Sequence, residues 1–406
     1  VVNALPEQTP LRIPEPVARV ALALRDAGRD AWVVGECLHA LVRGETPLAW
    51  EVSSAAAASE TLALFPTAVP TRLAEETVCV PTSVGPVDLS RFRDHRSLEG
   101  DLAHRDFTVH ALALDPASGR LIDPSGGRRD ARRGRLRAVG RAADRLAESP
   151  VRALRAVRLV AATGYSPDPE LEAAIAAARS QLGGPPAVAL RRELVRALLG
   201  VHPDLAIALL RRTGIEADWL PGARADAPAV VAALPAEPVP RLAAWLRDAR
   251  ARPLLRRLRF PAPLVRRVEL LLRYHPLDRN VASLPDVSLR RLLRRLEPET
   301  WEQLFALREA ELAAAPPAVA VDRAREALAG LRSRLERTRR RETQERQRDA
   351  LALDGRAVME VLGCGPGPRV GRALHFLAER ALADPGRNTP EALRAELRAW
   401  AAKHPR

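Results

Sequence analysis

Val33-Val34-Gly35-Glu36-Cys37-Leu38-His39-Ala40-Leu41-Val42-Arg43-Gly44-Glu45-Thr46-Pro47-Leu48-Ala49-Trp50-Glu51-Val52-Ser53-Ser54 is the stretch whose reading decides the fold. Ala31–Val34 is a short apolar run closed by Gly35 and reads as a buried strand. Cys37–Arg43 reads as a helix, and Trp50–Val52 as a second strand.

Outward from this stretch, Val17, Val20, Ala21, Leu22 and Leu24 carry helical spacing over 16–27, with Gly28 as a stop. An alanine-rich helix is predicted at 54–64. Strands around Thr77–Val80 and Gly85–Phe92 lie close enough to pair as a hairpin. His110–Leu114 and Arg120–Ile122 read as another, turning at Asp115–Gly119, and strands end near residue 140. Beyond that point the spacing of Leu, Val and Ala is helical, over 147–162, 170–181, 188–199, 203–213, 240–250, 263–273 and 287–295. This is an α+β head followed by an all-α body. The charged stretch 322–350 reads either as a long exposed helix or as a solvated linker.

The 406 residues, 47% of them hydrophobic, are enough for two to four domains with packed cores. No apolar run approaches the length of a membrane span. The first residues, Val1-Val2-Asn3-Ala4-Leu5-Pro6, have neither a basic patch nor an apolar core and do not read as a signal peptide. Cys37, Cys79 and Cys364 are an odd, scattered set that forms no metal pair or disulfide framework, which fits a reducing cytoplasm. The net charge of +14 favours a polyanionic partner, nucleic acid first, over a merely basic surface. Lys403 is the only lysine, so arginine supplies the other basic positions. With two tyrosines and six phenylalanines there is no stacking platform for single strands. His275 has no metal pattern around it, and Glu75-Glu76 reads as a solvated turn.

The chain resembles the class II tRNA nucleotidyltransferase and bacterial poly(A) polymerase family. That family's signature runs Gly-Gly-x-Val-Arg-Asp-x-Leu-Leu-Gly, a short gap, then Asp-x-Asp. Gly35, Gly44 and Trp50 fit it; Glu36 replaces the second glycine, His39-Ala40 replaces Arg-Asp, and Ala49-Trp50-Glu51 replaces Asp-x-Asp. Val87-Asp88-Leu89-Ser90-Arg91-Phe92-Arg93 resembles the strand that carries a third carboxylate. His104-Arg105-Asp106-Phe107-Thr108-Val109-His110-Ala111-Leu112-Ala113 is similar to Arg-Arg-Asp-Phe-Thr-x-Asn-Ala-Leu-Ala. Asp123-Pro124 through Gly140 resembles the end of the head domain. Glu148-Ser149-Pro150-Val151-Arg152-Ala153-Leu154-Arg155-Ala156-Val157-Arg158 resembles Glu-Asp-Pro-x-Arg-x-Leu-Arg-x-x-Arg. Leu353–Met359 and Leu362–Gly371 are similar to the family's C-terminal segments, in relatives part of an RNA-binding tail.

The resemblance implies a polymerase-β-like nucleotidyltransferase head over 1–140. A nucleobase-reading, RNA-binding neck follows over 141–200, then a helical body over 201–321 and a charged linker and helical tail over 322–406. It implies template-independent addition of CMP or AMP to RNA 3′ ends, with Mg²⁺ as cofactor, ATP and CTP as substrates and tRNA or other RNA 3′ ends as partner. Mg²⁺ needs hard oxygen ligands in near-octahedral geometry. Glu51 and Asp88 are the expected catalytic and metal-binding carboxylates, with Ala49 at the lost carboxylate position. Gly35, Arg105, Asp106, Arg152 and Arg155 are the expected nucleotide-binding residues, although Arg152 and Arg155 read equally as an ion-pair network with Glu148 and Asp106. Glu36 is expected to bring negative charge to the triphosphate, His39 to stand in poorly for Arg, and Ser149 to replace a base-reading Asp. Three readings follow: an RNA-binding paralogue with weak or lost catalysis; an active CCA- or A-adding enzyme with metal rearranged onto Glu51, Asp88 and Asp106; or a nucleotide-sensing or interaction scaffold.

Overall fold

The computed structural model describes residues 11–72, 77–94, 96–249, 251–349 and 351–404. Glu75-Glu76 and the first six residues lie outside the described residues. The chain divides into two units, one made of the residues up to His275 with Glu302–Pro316, the other of Pro276–Trp301 and the residues from Pro317 on.

The first unit begins with α1 (Glu15–Asp26), whose Val17, Val20, Ala21 and Leu24 are buried at helical spacing. β1 (Ala31–Val34), α2 (Glu36–Val42) and β2 (Trp50–Ser54) follow. The alanine-rich helix starts later than its composition suggests, as α3 (Ala58–Leu64), because Ser54 belongs to the strand. The Ser54 hydroxyl donates to the Asp30 carbonyl at 2.8 Å and accepts the Ala56 N–H at 3.1 Å, fixing a turn before the helix. β3 (Val69–Arg72) is an edge strand that periodicity does not reveal. It pairs with β4 (Thr77–Thr82), which turns antiparallel into β5 (Gly85–Arg91), the expected hairpin. After α4 (Leu98–Ala103), the short β6 (Ala113–Leu114) and β7 (Leu121–Ile122) close the second expected hairpin.

The sheet runs β3-β4-β5-β2-β1-β6-β7. Only the pairing of β2 with β5 is parallel within it, and its register sets Glu51 beside Asp88 and Ser53 beside Ser90. In-register neighbours on parallel strands project to one face. The two predicted carboxylates therefore share a row, while Trp50, Val52, Val87 and Leu89 face the other way into the core.

Helices α5 (Gly127–Arg132), α6 (Ala142–Glu148), α7 (Val151–Thr163), α8 (Pro169–Ala178) and α9 (Ala187–Leu198) lead into the helical part. Strand pairing does not end near residue 140 as the sequence suggests. β8 (Arg135–Leu136) pairs in parallel with β9 (Ser166–Pro167). Gly164, left-handed at φ 72°, ends α7 and returns the chain so that Ser166 N–H reaches the Gly134 carbonyl at 2.9 Å. Strands of two residues are too short to show alternation.

Farther along the unit lies a buried charge cluster. Glu311 takes His275 Nε2 at 2.9 Å and Arg308 Nη1 at 2.5 Å, and Arg247, which is 1% exposed, reaches Asp226 Oδ1 at 2.7 Å. Burial pushes the Glu311 carboxyl up, but His275, Arg308 and Arg247 outweigh it and bring it down to about 2. His275 is thus a partner of a carboxylate.

In the second unit, the charged stretch 322–350 lies almost wholly in one helix, Val319–Asp349. Leu328, Leu331 and Leu335 form its buried stripe, and Arg334 donates to the Ala282 and Leu284 carbonyls at 2.9 and 2.6 Å. Helices Gly355–Leu362, Pro368–Ala383 and Pro390–Lys403 pack around Val358, Leu377, Leu393 and Leu397. Asp354 caps the first of them through the Ala357 N–H at 2.8 Å.

Glu311→Gln should lower unfolding stability by about 3 kcal/mol in a denaturant titration, because it strands buried cations. The carboxyl is lowered in the folded state from its ordinary 4.5 to about 2, so its contribution is present above 4.5 and fades as pH falls toward 2. The difference between parent and variant should shrink across that window.

Candidate active site

The sequence-predicted residues converge around the β2–β5 row. Gly35 joins β1 to α2 at φ 88°, in the region glycine favours. A Cβ at this position would run into the Glu51 carboxylate and lie 2.7 Å from Arg105 Nη1. The glycine is therefore required by both its dihedral angle and the closeness of this pair.

Arg105, 4% exposed, follows α4 and spreads its guanidinium across three elements. Nη2 donates to Glu51 Oε1 at 2.9 Å, Ser53 Oγ at 3.2 Å and Asp101 Oδ2 at 3.1 Å. Nε donates to the same Asp101 oxygen at 3.1 Å, and Nη1 to the His110 carbonyl at 3.4 Å. Asp101 is fully buried and also accepts from Arg93 Nη1 at 3.0 Å. Burial alone would lower the Arg105 pKa; Glu51 and Asp101 more than offset this and raise it. Asp88 is exposed on β5, and Ala49 is exposed just before β2.

The neck-side arginines are all engaged. On α7, Arg152 donates to Glu148 Oε2 at 2.5 Å and to the Arg145 and His104 carbonyls at 2.8 and 3.2 Å. Arg155 Nη1 donates to Asp106 Oδ2 at 2.6 Å. Arg158 donates to Glu193 at 2.8 Å and to Glu36 at 3.2 Å. Arg152 and Arg155 thus sit in the ion-pair arrangement that their sequence context offered as one of two readings. Asp106 is buried; its Oδ1 also accepts the Phe107 N–H at 3.0 Å and lies 3.7 Å from His110 Nδ1. Burial would raise this carboxyl, but His110 and Arg155 hold it well below the usual carboxylate range.

His39, expected to stand in poorly for Arg, is 3% exposed, and its Nε2 lies 3.1 Å from the Tyr165 hydroxyl. It meets the rings of His110 and Tyr165 edge-on, at 5.4 and 5.5 Å. Burial, then His110, Arg43 and Arg158, push its pKa well below the ordinary 6.5. His39 is a neutral core residue. Glu36, by contrast, keeps 63% of its side chain exposed at the start of α2. Sequence reasoning also passed over Asp101 and Tyr165, which carry no motif of their own.

Residues 31–137 match the model of the poly(A) polymerase head domain. The CCA-adding enzyme of Geobacillus stearothermophilus is 32% identical over 214 residues, 49% of this chain and 52% of that protein. The matched region thus spans about half the length of that curated relative. The CCA-adding enzyme of Geobacillus kaustophilus is 28% identical over 404 residues, 92% of this chain and 94% of its own. The crystal structure of the Bacillus stearothermophilus CCA-adding enzyme in complex with CTP superposes with a TM-score of 0.66 at 26% identity, covering 96% of this chain and 99% of that one. By these likenesses the chain is similar to the CCA-adding enzymes, with a poly(A) polymerase head domain match over residues 31–137.

The resemblance raises the question of Mg²⁺, and the residues present do not fit it. Ala49 offers no ligand atom, the Glu51 carboxylate is held by Arg105, and Asp88 stands alone on its strand. Among the described residues no group of three or more His, Cys, Asp or Glu is placed to hold a metal ion. Near-octahedral oxygen coordination needs more than this row supplies. Among the same residues, no helix is long and apolar enough to cross a membrane.

Two outcomes are expected of this site. Gly35→Ala should destabilise the head by about 1–2 kcal/mol from its left-handed dihedral alone, read as a shifted denaturation midpoint, with a further loss from separating Glu51 and Arg105. For His39 the folded-state pKa is depressed, so the unfolded chain takes up a proton that the folded one refuses. Its contribution is intact above 6.5 and should be lost progressively as pH falls below 6.5. His39→Gln should flatten that part of the stability–pH curve.

Proposed function

We propose that this protein binds the 3′ region of tRNA-sized RNA and retains at most weak template-independent nucleotide addition. The observation that carries this reading is the β2–β5 row, where Ala49 replaces a ligand position and only Glu51 and Asp88 remain. Loss of one carboxylate and a misplacement of about 1 Å in the others are enough to cost about a hundredfold in rate. Ser149, the C-terminal cap of α6, has no carboxylate with which to read a base. RNA binding is supported by the charge of +14 and by exposed arginines on the helices Ala251–Arg257, Ala262–Tyr274 and Asp286–Arg295. CTP and tRNA are also the ligands named for solved relatives: the Bacillus stearothermophilus CCA-adding enzyme in complex with CTP, and the Thermotoga maritima enzyme complexed with tRNA. Against the reading of metal rearranged onto Asp106 stands its burial and its bonds to Arg155 and the Phe107 N–H.

On this reading, log affinity for a tRNA lacking its terminal CCA should fall linearly with log salt, by about 0.9 per phosphate contact in duplex regions. A flat response, or no binding at low salt, would count against an RNA-binding body. In single-turnover incorporation with each NTP, the parent should be slow and poorly selective. Ala49→Asp with Glu51→Asp should improve it little, because Glu36 still stands at the start of α2 and Ser149 still lacks a carboxylate. Adding Glu36→Gly and Ser149→Asp should raise rate and base selectivity together. A parent already as fast as this four-site variant overturns the weakened-enzyme reading.

A further inference from the structure

The departure at Ala49 accounts for a missing ligand position, but not for what balances the charge of Glu51, which remains beside Asp88 in the row. We propose that the Arg105 guanidinium is a built-in cation that occupies Glu51 and excludes a divalent ion from the β2–β5 row. The proposal deepens the reading of a weakened transferase by naming the group that keeps the row metal-free.

Four charges form the cluster: the carboxylates of Glu51 and Asp101, and the guanidinia of Arg93 and Arg105. Two acids meet two arginines, so the cluster is neutral as it stands. A divalent ion on Glu51 would put two further positive charges beside a guanidinium already bonded to the same carboxylate. Arg105 has no easy retreat. It is 4% exposed, and its three nitrogens are all engaged, by Asp101, Ser53, Glu51 and the His110 carbonyl. Asp101, 0% exposed, loses one of its two arginines if Arg105 swings out. Gly35 closes the remaining side, since even a Cβ there would press on both members of the pair. Nor can the cation be discharged by losing a proton, because a guanidinium keeps its charge at every pH the fold survives.

Restoring the second carboxylate alone should then fail to create a metal site. The full chain is titrated with Mn²⁺, read by loss of the free-ion electron paramagnetic resonance signal, for the parent, Ala49→Asp, Ala49→Asp/Arg105→Lys and Ala49→Asp/Arg105→Gln. Lysine keeps a charge for Asp101 but lacks the fork needed to reach Glu51 as well. Parent and Ala49→Asp should bind Mn²⁺ at least tenfold more weakly than the Arg105 double variants, and Glu51→Gln added to those should abolish the gain. Ala49→Asp binding as tightly as the double variants would overturn the proposal. If the Arg105 variants do not fold by circular dichroism, thermal unfolding of the parent decides. No Mn²⁺-dependent rise in its midpoint is expected, and a rise that Glu51→Gln removes would overturn the proposal. Failure to bind tRNA would sink the functional reading while leaving this one standing, so the two are separable.

Discussion

The parallel pairing of β2 with β5 is the constraint on which the site depends. Two strands far apart in sequence run side by side only if the chain between them crosses back, and α3, β3 and β4 make that return. The register of the pair puts Glu51 next to Asp88 and leaves Trp50, Val52, Val87 and Leu89 to the core. A one-residue slip of either strand would turn that strand's carboxylate into the core. The row is thus held by hydrophobic packing on its far side, which does not require the carboxylates to keep their original task.

Charge, more than shape, separates this site from one built for metal. Each acid around the row or the adjoining neck, with the exception of exposed Asp88, has an arginine on it: Glu51 and Asp101 share Arg105, Asp106 takes Arg155, Glu36 takes Arg158 and Glu148 takes Arg152. The buried pair among them, Asp101 with Arg105, stabilises little compared with apolar packing, yet breaking it by removing a single partner is costly. That asymmetry favours keeping the pair whatever the row is used for.

Much of this was legible from the chain. The strand–glycine–helix–strand of residues 31–54, the β4–β5 hairpin and the helical body follow from period and punctuation, and the order of five motifs pointed to the family. The fate of individual side chains was not legible. His39 stands where the motif has an Arg, but its state is set by burial in a core that includes Tyr165, 126 residues later. Arg105 meets Glu51 across 54 residues, and no local pattern announces that bond. β3, β8 and β9 are too short or too near an edge to show alternation. The stretch 322–350 had two readings because its charge hides the Leu328, Leu331, Leu335 spacing that makes it a helix.

Arg152, Arg155 and Arg158 stand three residues apart, so each is turned by about 60° from the last around the axis of α7. Their bonds therefore leave the helix in different directions, toward α6, toward the segment carrying Asp106, and toward α2 and α9. Mechanically these are three non-parallel guy lines on one mast. A single tether would let the helix slide or roll, whereas three spread around it resist both motions. The neck helix is consequently a fixed reference against which the head is aligned, and displacing any one of these arginines from its acid would slacken one line while the other two hold the mast upright.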